Sequence, residues 1–422
     1  MSATVPPRPV GALQLLALGV NGIVGVGIFF APAVVARHAP GHAAVLAFVA
    51  TGLALLPVAA AFALLGRAFD VDGGPVVFAR AAFGDFVSFV VGWVAYVSAF
   101  LSTSAVMVGL TGAVAPGLGL DGPLARRAAA TLLVTGLALL VASGIRISAR
   151  AWTTLTVLKL LPLVALLLAF LFHGPGPAPV VDTGGGSTSW LRAGLTVMFA
   201  YQGFEIVPVI AGHVRASSRT VPLATMGSLA AAIALYVGLA WACVSALPAL
   251  AESKAPLADA AAALGGSALA KGVAWGTSVS ALGICLGMMV TTPRYLSALA
   301  GGKRELFGLE REAASGVPLR ALLVTWAIVT VLVNLGELSE LFVLSAMAVL
   351  MQFGVTAASL VALARRRQRG LAPRHAWLAV PTLVLALVLV RFGATPREVL
   401  VAAFTVATGI ALAALARPRA AA

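Results

Sequence analysis

The sequence predicts an all-α polytopic membrane protein, and three observations carry that prediction. Hydrophobic residues make up 61% of the chain and charged residues 10%, outside the range of ordinary soluble domains. Apolar runs long enough to cross roughly 30 Å of hydrocarbon as helices recur along almost the whole length. The polar interruptions between them are short and leave no room for a separate soluble domain.

Charged or Gly/Pro-rich breaks divide the chain into twelve spans. The first, 11–36, follows the proline-rich "MSATVPPRPV" and stops at "RHAPGH". The second, 42–66, ends at "RAFDVDGG", and the third, 84–113, at "APGLGLDGP". The fourth and fifth, 124–144 and 149–172, meet at "SGIR", and "HGPGPAP" closes the fifth. The sixth, 188–212, runs into "GHVRASSR". Beyond it lie 221–248, 267–300, 317–335, 338–364, 375–392 and 396–416. The breaks near 145 and 336 are short, so an eleven-helix count stays open.

A formal charge of +14 raises nucleic acid as a partner, but the basic residues are scattered over short loops and line no single face, so the membrane accounts for them. With Lys159 and Arg294 set aside as lying within spans, 18 Lys and Arg fall on the side of the N-terminus and 8 on the other. That asymmetry places both termini in the cytoplasm, against the dissent of Arg126 and Arg127. Short loops and an Ala- and Arg-rich composition fit a bacterial inner membrane. Cys243 and Cys285 lie in apolar spans without ligand spacing, so they read as packing residues and imply neither disulfide nor metal. The N-terminus lacks a small-residue cleavage site, so the first span is expected to remain as a helix.

The first span contains "GVNGIVGVGIFFAP", with glycine at 19, 22, 25 and 27. Each glycine costs a helix interior about 1 kcal/mol relative to alanine. Close helix packing would explain small residues along one face, but Gly25 and Gly27 point to different faces. An unwound segment fits better. Unwinding at mid-membrane frees backbone groups that must find partners other than lipid. The start of a half-helix then offers N–H groups to a carboxylate, while the end of the preceding half offers carbonyls to a cation. A second interruption is expected in the sixth span, where "VMFAYQGFEIVPVIAG" holds Gly203, Pro208 and the acid Glu205. A carboxylate at the centre of a spanning helix costs about 2.5–3.5 kcal/mol on insertion scales, so Glu205 must face protein or a water-filled path.

These residues resemble a known family. "GIVGVGIFFAP" is similar to the first-helix glycine motif of the amino acid-polyamine-organocation (APC) superfamily of secondary transporters, and "FAYQGFE" to its sixth-helix motif. "GGPVVFARAAFGDFVSFVVGWVAY", "TVLKLLPLVALLLAF", "TTPRYLSALAGGKRELFG" and "LVALARRRQR" resemble, in order, the second loop with the third helix, the fifth helix, the eighth helix with its loop, and the end of the tenth. The resemblance covers roughly 11–370 and rests on the ordered set. It implies a five-plus-five inverted repeat, with discontinuous helices 1 and 6. The repeats would occupy 11–173 and 188–335, the second running through about 364 with the tenth helix, between a tail at 1–10 and two trailing helices at 374–417. The chain departs from the family after the sixth helix, where His213 and Arg215 stand in place of an expected acidic pair.

The resemblance also implies an amino acid or related amine as substrate. Val26 and Gly27 are then expected to donate N–H groups to the substrate carboxylate, with Gly25 and Gly203 also at the substrate site and the carbonyls of Ile23, Phe199 and Gln202 receiving the ammonium. Phe100 and Phe199 are candidates for gating and the side-chain pocket, and Ser98, Ser102 and Asn21 for polar contacts. Lys159 is the second intramembrane charge; in proton-coupled relatives a fifth-helix lysine replaces a sodium ion, and Lys159 matches that position, with snorkelling as its alternative. Glu205 either shares the proton role or locks helices by hydrogen bonding. No G-x-x-x-x-G-K-[ST], H-E-x-x-H or G-x-S-x-G motif suggests an enzyme, and no cofactor is implied. The reading is a proton-coupled secondary transporter of a neutral amino acid, its oligomeric state open. The alternatives are an exchanger or exporter and a ligand sensor that does not transport.

Overall fold

The computed structural model describes residues 8–114, 119, 122–174, 189–300, 308–335, 338–393 and 396–415. Among the described residues the regular structure is helical, and the one extended pairing is an isolated parallel bridge between Val10 and Val214. The first span is α1 (Ala12–Ile23) and α2 (Gly27–His38), bent by 42° across the intervening residues. α3 (His42–Ala68) is the second span. A short helix absent from the sequence reading, α4 (Pro75–Phe83), precedes the third. Pro75 starts it with a fixed φ, and Gly84, at φ 87°, ends it in a conformation side chains resist.

α5 (Asp85–Val114), α6 (Pro123–Ala142) and α7 (Ile145–His173) are spans three to five. The sixth is α8 (Trp190–Tyr201) followed by a 3-10 segment, Phe204–His213. α9 (Ser217–Ala246) is the seventh, and α10 (Pro256–Ala300) is interrupted at Gly266 (φ 78°), so its membrane part starts where the eighth span was placed. α11 (Leu319–Leu335), α12 (Leu338–Arg365), α13 (Ala379–Gly393) and α14 (Pro396–Leu415) complete the chain. Among the described residues, seven spans are individually long and apolar enough to cross a bilayer, the bent α1–α2 pair makes an eighth, and shorter apolar helices in the regions of α11 to α14 fill the last four positions.

α1 lies inside the bundle against α9, α7 and the 3-10 segment, while α3 packs along α9, and α10 lies across α7 and α5. α13 and α14 attach from outside through α12, α3 and α5. Leu132, Leu161, Phe172, Leu387 and Phe404 face outward, which acyl chains tolerate and water would not. The sixth-span break is pinned on both sides by aromatic stacks. Tyr201, just before it, stacks on Tyr236 of α9 at 5.0 Å, and Phe204, just after it, stacks on Phe353 of α12 at 5.7 Å. The two halves of the span are thus anchored to different helices.

Candidate functional site

α1 stops at Ile23, and its last carbonyls have no helical N–H to accept from. One face of α7 donates to carbonyls along α1, at its end and just beyond it. Trp152, Thr156 and Lys159 recur at helical spacing, and their polar atoms donate successively to Gln14 O (2.8 Å), Ala17 O (3.1 Å), and both Asn21 O (2.8 Å) and Val24 O (2.5 Å). Ser280 of α10 also donates to Val24 O at 2.9 Å, and Tyr236 of α9 to Ile23 O at 2.8 Å. A fully buried ammonium therefore sits at the negative end of a half-helix, where its charge is best placed. Lys159 does not snorkel.

α2 begins at Gly27 with no side chain capping it, so the amides of its first turn lack carbonyls one turn back. Across from it, Gly203 adopts φ 127°, and its N–H donates to the buried Glu205 carboxylate at 2.8 Å. The two breaks touch. A methyl at Gly203 would lie 2.2 Å from the Gly22 carbonyl carbon, so only glycine permits this approach. Gly19 does what the packing account of the glycines required, since a methyl there would lie 2.6 Å from Ser228 Oγ of α9.

A cavity of about 500 Å³ opens beside the breaks. Ile23, Gly25, Val26, Gly27, Phe199, Gln202, Gly203 and Glu205 all line it, as do Asn21, Ser98 and Ser102. Phe100 does not line it; its ring packs edge-on against Tyr96 at 5.2 Å, because the face of α5 carrying Ser98 and Ser102 is the one turned inward. Lys159 lies behind α1, outside the lining, and among the described residues no ion pair joins it to Glu205. The Ile23 carbonyl already accepts from both Tyr236 and Gly25 N–H (2.7 Å), which leaves Phe199 and Gln202 as the freer of the three expected acceptors.

Sequence reading missed a whole wall: Ile284, Met288, Thr291 and Tyr295 of α10, and Gln352 of α12. One signal was present in "ALGICLGMM", where Gly283 and Gly287 are four residues apart and make room for Asn21; its Nδ2 donates to Gly283 O at 2.6 Å. The cavity rises from a floor at Glu205, Ile206 and Tyr295 to Phe30, Val34 and Thr196, with Phe30 and Phe199 half-exposed at the top. Its half-exposed lining thus lies away from the N-terminal end.

That opposite end is closed by paired chain segments. Val10 N–H donates to His213 O at 3.1 Å, and Arg215 N–H to Val10 O at 2.9 Å. Asp72, between α3 and α4, accepts from Gly212 N–H and from Arg294 Nε, each at 2.8 Å. Arg294, buried within α10, also donates to Val290 O (2.6 Å) and Gly316 O (2.8 Å), so its charge is fully engaged. The departure from the family pattern at 213 and 215 thus falls on the closing segment.

A profile described as "Amino acid permease" matches residues 10–415. The chain is 28% identical over 412 residues to an uncharacterized transporter of Mycobacterium tuberculosis, covering 94% of this chain and 91% of that one. It is also 28% identical over 324 residues to a branched-chain amino acid permease of Bacillus subtilis, covering 72% and 67%. An arginine/ornithine antiporter of Pseudomonas aeruginosa is 33% identical over 162 residues, covering 37% and 34%.

Proposed function

Since this chain belongs to the amino acid permease family, a family of transporters and not of enzymes, we propose that it is a secondary active transporter moving a neutral amino acid by alternating access, coupled to protons. The observation that carries the reading is the pairing of α2's uncapped start with the Gln202–Gly203 break across one cavity. The amides at Val26 and Gly27 take the substrate carboxylate, and the Phe199 and Gln202 carbonyls the ammonium. The apolar wall of Ile206, Ile284, Met288 and Val349 suits an aliphatic side chain. The resemblance to a branched-chain amino acid permease agrees with that choice.

Lys159 occupies the place of a coupling cation at the end of α1. When it gives up its proton, the carbonyls of Asn21 and Val24 lose a charged donor, which loosens α1 from α7. Glu205, tied to Gly203 N–H on the cavity floor, is the second proton-carrying candidate. The fold reads as two inverted five-helix repeats over 11–173 and 188–364, with α13 and α14 trailing and the N-terminal end facing the cytoplasm of a bacterial cell.

Proteoliposomes holding the purified chain test this. Uptake of a branched-chain amino acid against its gradient should require an inward proton gradient and no sodium. Uptake indifferent to the proton gradient, with counterflow intact, favours an exchanger, the rival that the resemblance to an arginine/ornithine antiporter makes specific. Binding without flux would defeat transport altogether.

A further inference from the structure

The closed end contains a side-chain cluster that substrate binding does not use. His213, at the end of the 3-10 segment, is 7% exposed, and its Nε2 lies 3.5 Å from Asp72 Oδ2 and 3.5 Å from Glu312 Oε2. Neither contact is short enough for a good hydrogen bond, and the nitrogen has no other partner. Arg294 Nε donates at 2.8 Å to the same Asp72 Oδ2 that faces the ring, and Gly212 N–H takes Oδ1. With a neutral imidazole the cluster carries two carboxylates, of which Glu312 is partly solvated, against one guanidinium; with an imidazolium it is balanced.

We propose that His213 is a proton-binding site whose occupancy holds the N-terminal end of the transporter shut. The three elements it joins are the α3–α4 connection through Asp72, the sixth span through His213 itself, and the α10–α11 connection through Glu312. Those elements must separate for the cavity to open at this end, so a proton bound between them binds only the closed state and stabilises it by linkage. The charged groups facing the ring are Asp72, Glu312 and, through Asp72, Arg294. The N-terminal segment brings Val10, and its nearest charge, Arg8, is paired outward with Asp70. α7 brings Ile145, whose N–H donates to Ser315 O.

In the orientation proposed above, an acidified cytoplasm would hold the inner end closed and slow further proton entry. This step rests on the alternating-access reading, and the test separates the two.

The probe is Ala211→Cys, buried beneath the closed end, in a full-length Cys243→Ala, Cys285→Ala background. Maleimide labelling is compared with and without His213→Gln at each pH, so that the thiol's own titration cancels in the ratio. Between pH 8 and 6 the His213 protein should label progressively more slowly than the His213→Gln protein, by tenfold or more at the acid end. His213→Lys, which keeps a positive charge, should label slowly throughout and shows that the pocket still folds. A ratio constant with pH overturns the proposal. So does slow labelling that disappears with a chelator and returns with zinc, since a metal then occupies the slot; the three ligand-type atoms lie within 4.8 Å of one another. If the cysteine labels in no variant, Asp72→Asn included, the end never opens and alternating access fails with the latch.

Discussion

Substituting Gly203→Ala tests whether the two breaks form one site. The new Cβ would lie 2.2 Å from the Gly22 carbonyl carbon, 2.4 Å from its oxygen and 2.5 Å from Ile23 N, all main-chain atoms that cannot rotate away. Ordinary contact begins at 3.4 Å, so the first and sixth spans must separate by about 1 Å. The residue would also have to hold φ 127°, which costs an alanine about 1–3 kcal/mol. A shift of that size between groups converging on one ligand is worth on the order of 100-fold in rate. Uptake kinetics in proteoliposomes should therefore fall by about that factor, and ligand-induced thermal shifts should vanish. Gly27→Ala is the comparison. A methyl there meets Ala200 Cα at an ordinary 3.6 Å, and the amide of residue 27 stays in place, so transport should remain within a few-fold of the parent. Equal damage from both substitutions, or near-normal uptake in Gly203→Ala, would refute the argument that main-chain groups at the paired breaks hold the substrate.

Lys159→Met keeps the length of the side chain but strips the charged donor from Asn21 O and Val24 O; with Ser280 still serving Val24, stability should fall by about 2–4 kcal/mol, read by thermal denaturation. The same variant should lose accumulation driven by a proton gradient, and retention of that accumulation would remove Lys159 from coupling. Tyr236→Phe deletes the bond to Ile23 O but keeps the stack on Tyr201, so a cost of about 1 kcal/mol is expected, with normal folding. At the N-terminal end, the Arg8 hydrogen bond holds the Asp70 carboxyl below the usual carboxylate range. Burial alone would raise Glu312, but His213 and Arg294 outweigh it and hold that carboxyl low as well. Groups lowered on folding contribute stability that is complete above their unfolded values, near pH 4, and lost as pH falls through the lower folded values. The melting temperature should thus decline more steeply below about pH 4 than in Glu312→Gln, by a modest amount because both carboxyls are partly solvated.

Composition and local pattern were enough to read the solvent, the order of the spans, and the places where two of them fail to be helices. Those features are local: apolar length fixes a crossing, and Gly25, Gly27 and Gly203 are legible because a glycine's cost to a helix needs no partner to be felt. Lys159 and Glu205 stood out for the same reason, each being a charge where charge is expensive. What those features meet was settled by packing. Gly22 touches Gly203 across 181 positions of chain, the rotation of α5 turned Ser98 inward and Phe100 onto Tyr96, and α10 supplied a wall that its own composition does not announce. His213 looked like a missing acid in the sequence, and packing set it between two acids from distant loops. Which side chains share a cavity depends on helix rotation and on contacts between remote segments, and a pattern of nearest neighbours along the chain carries neither.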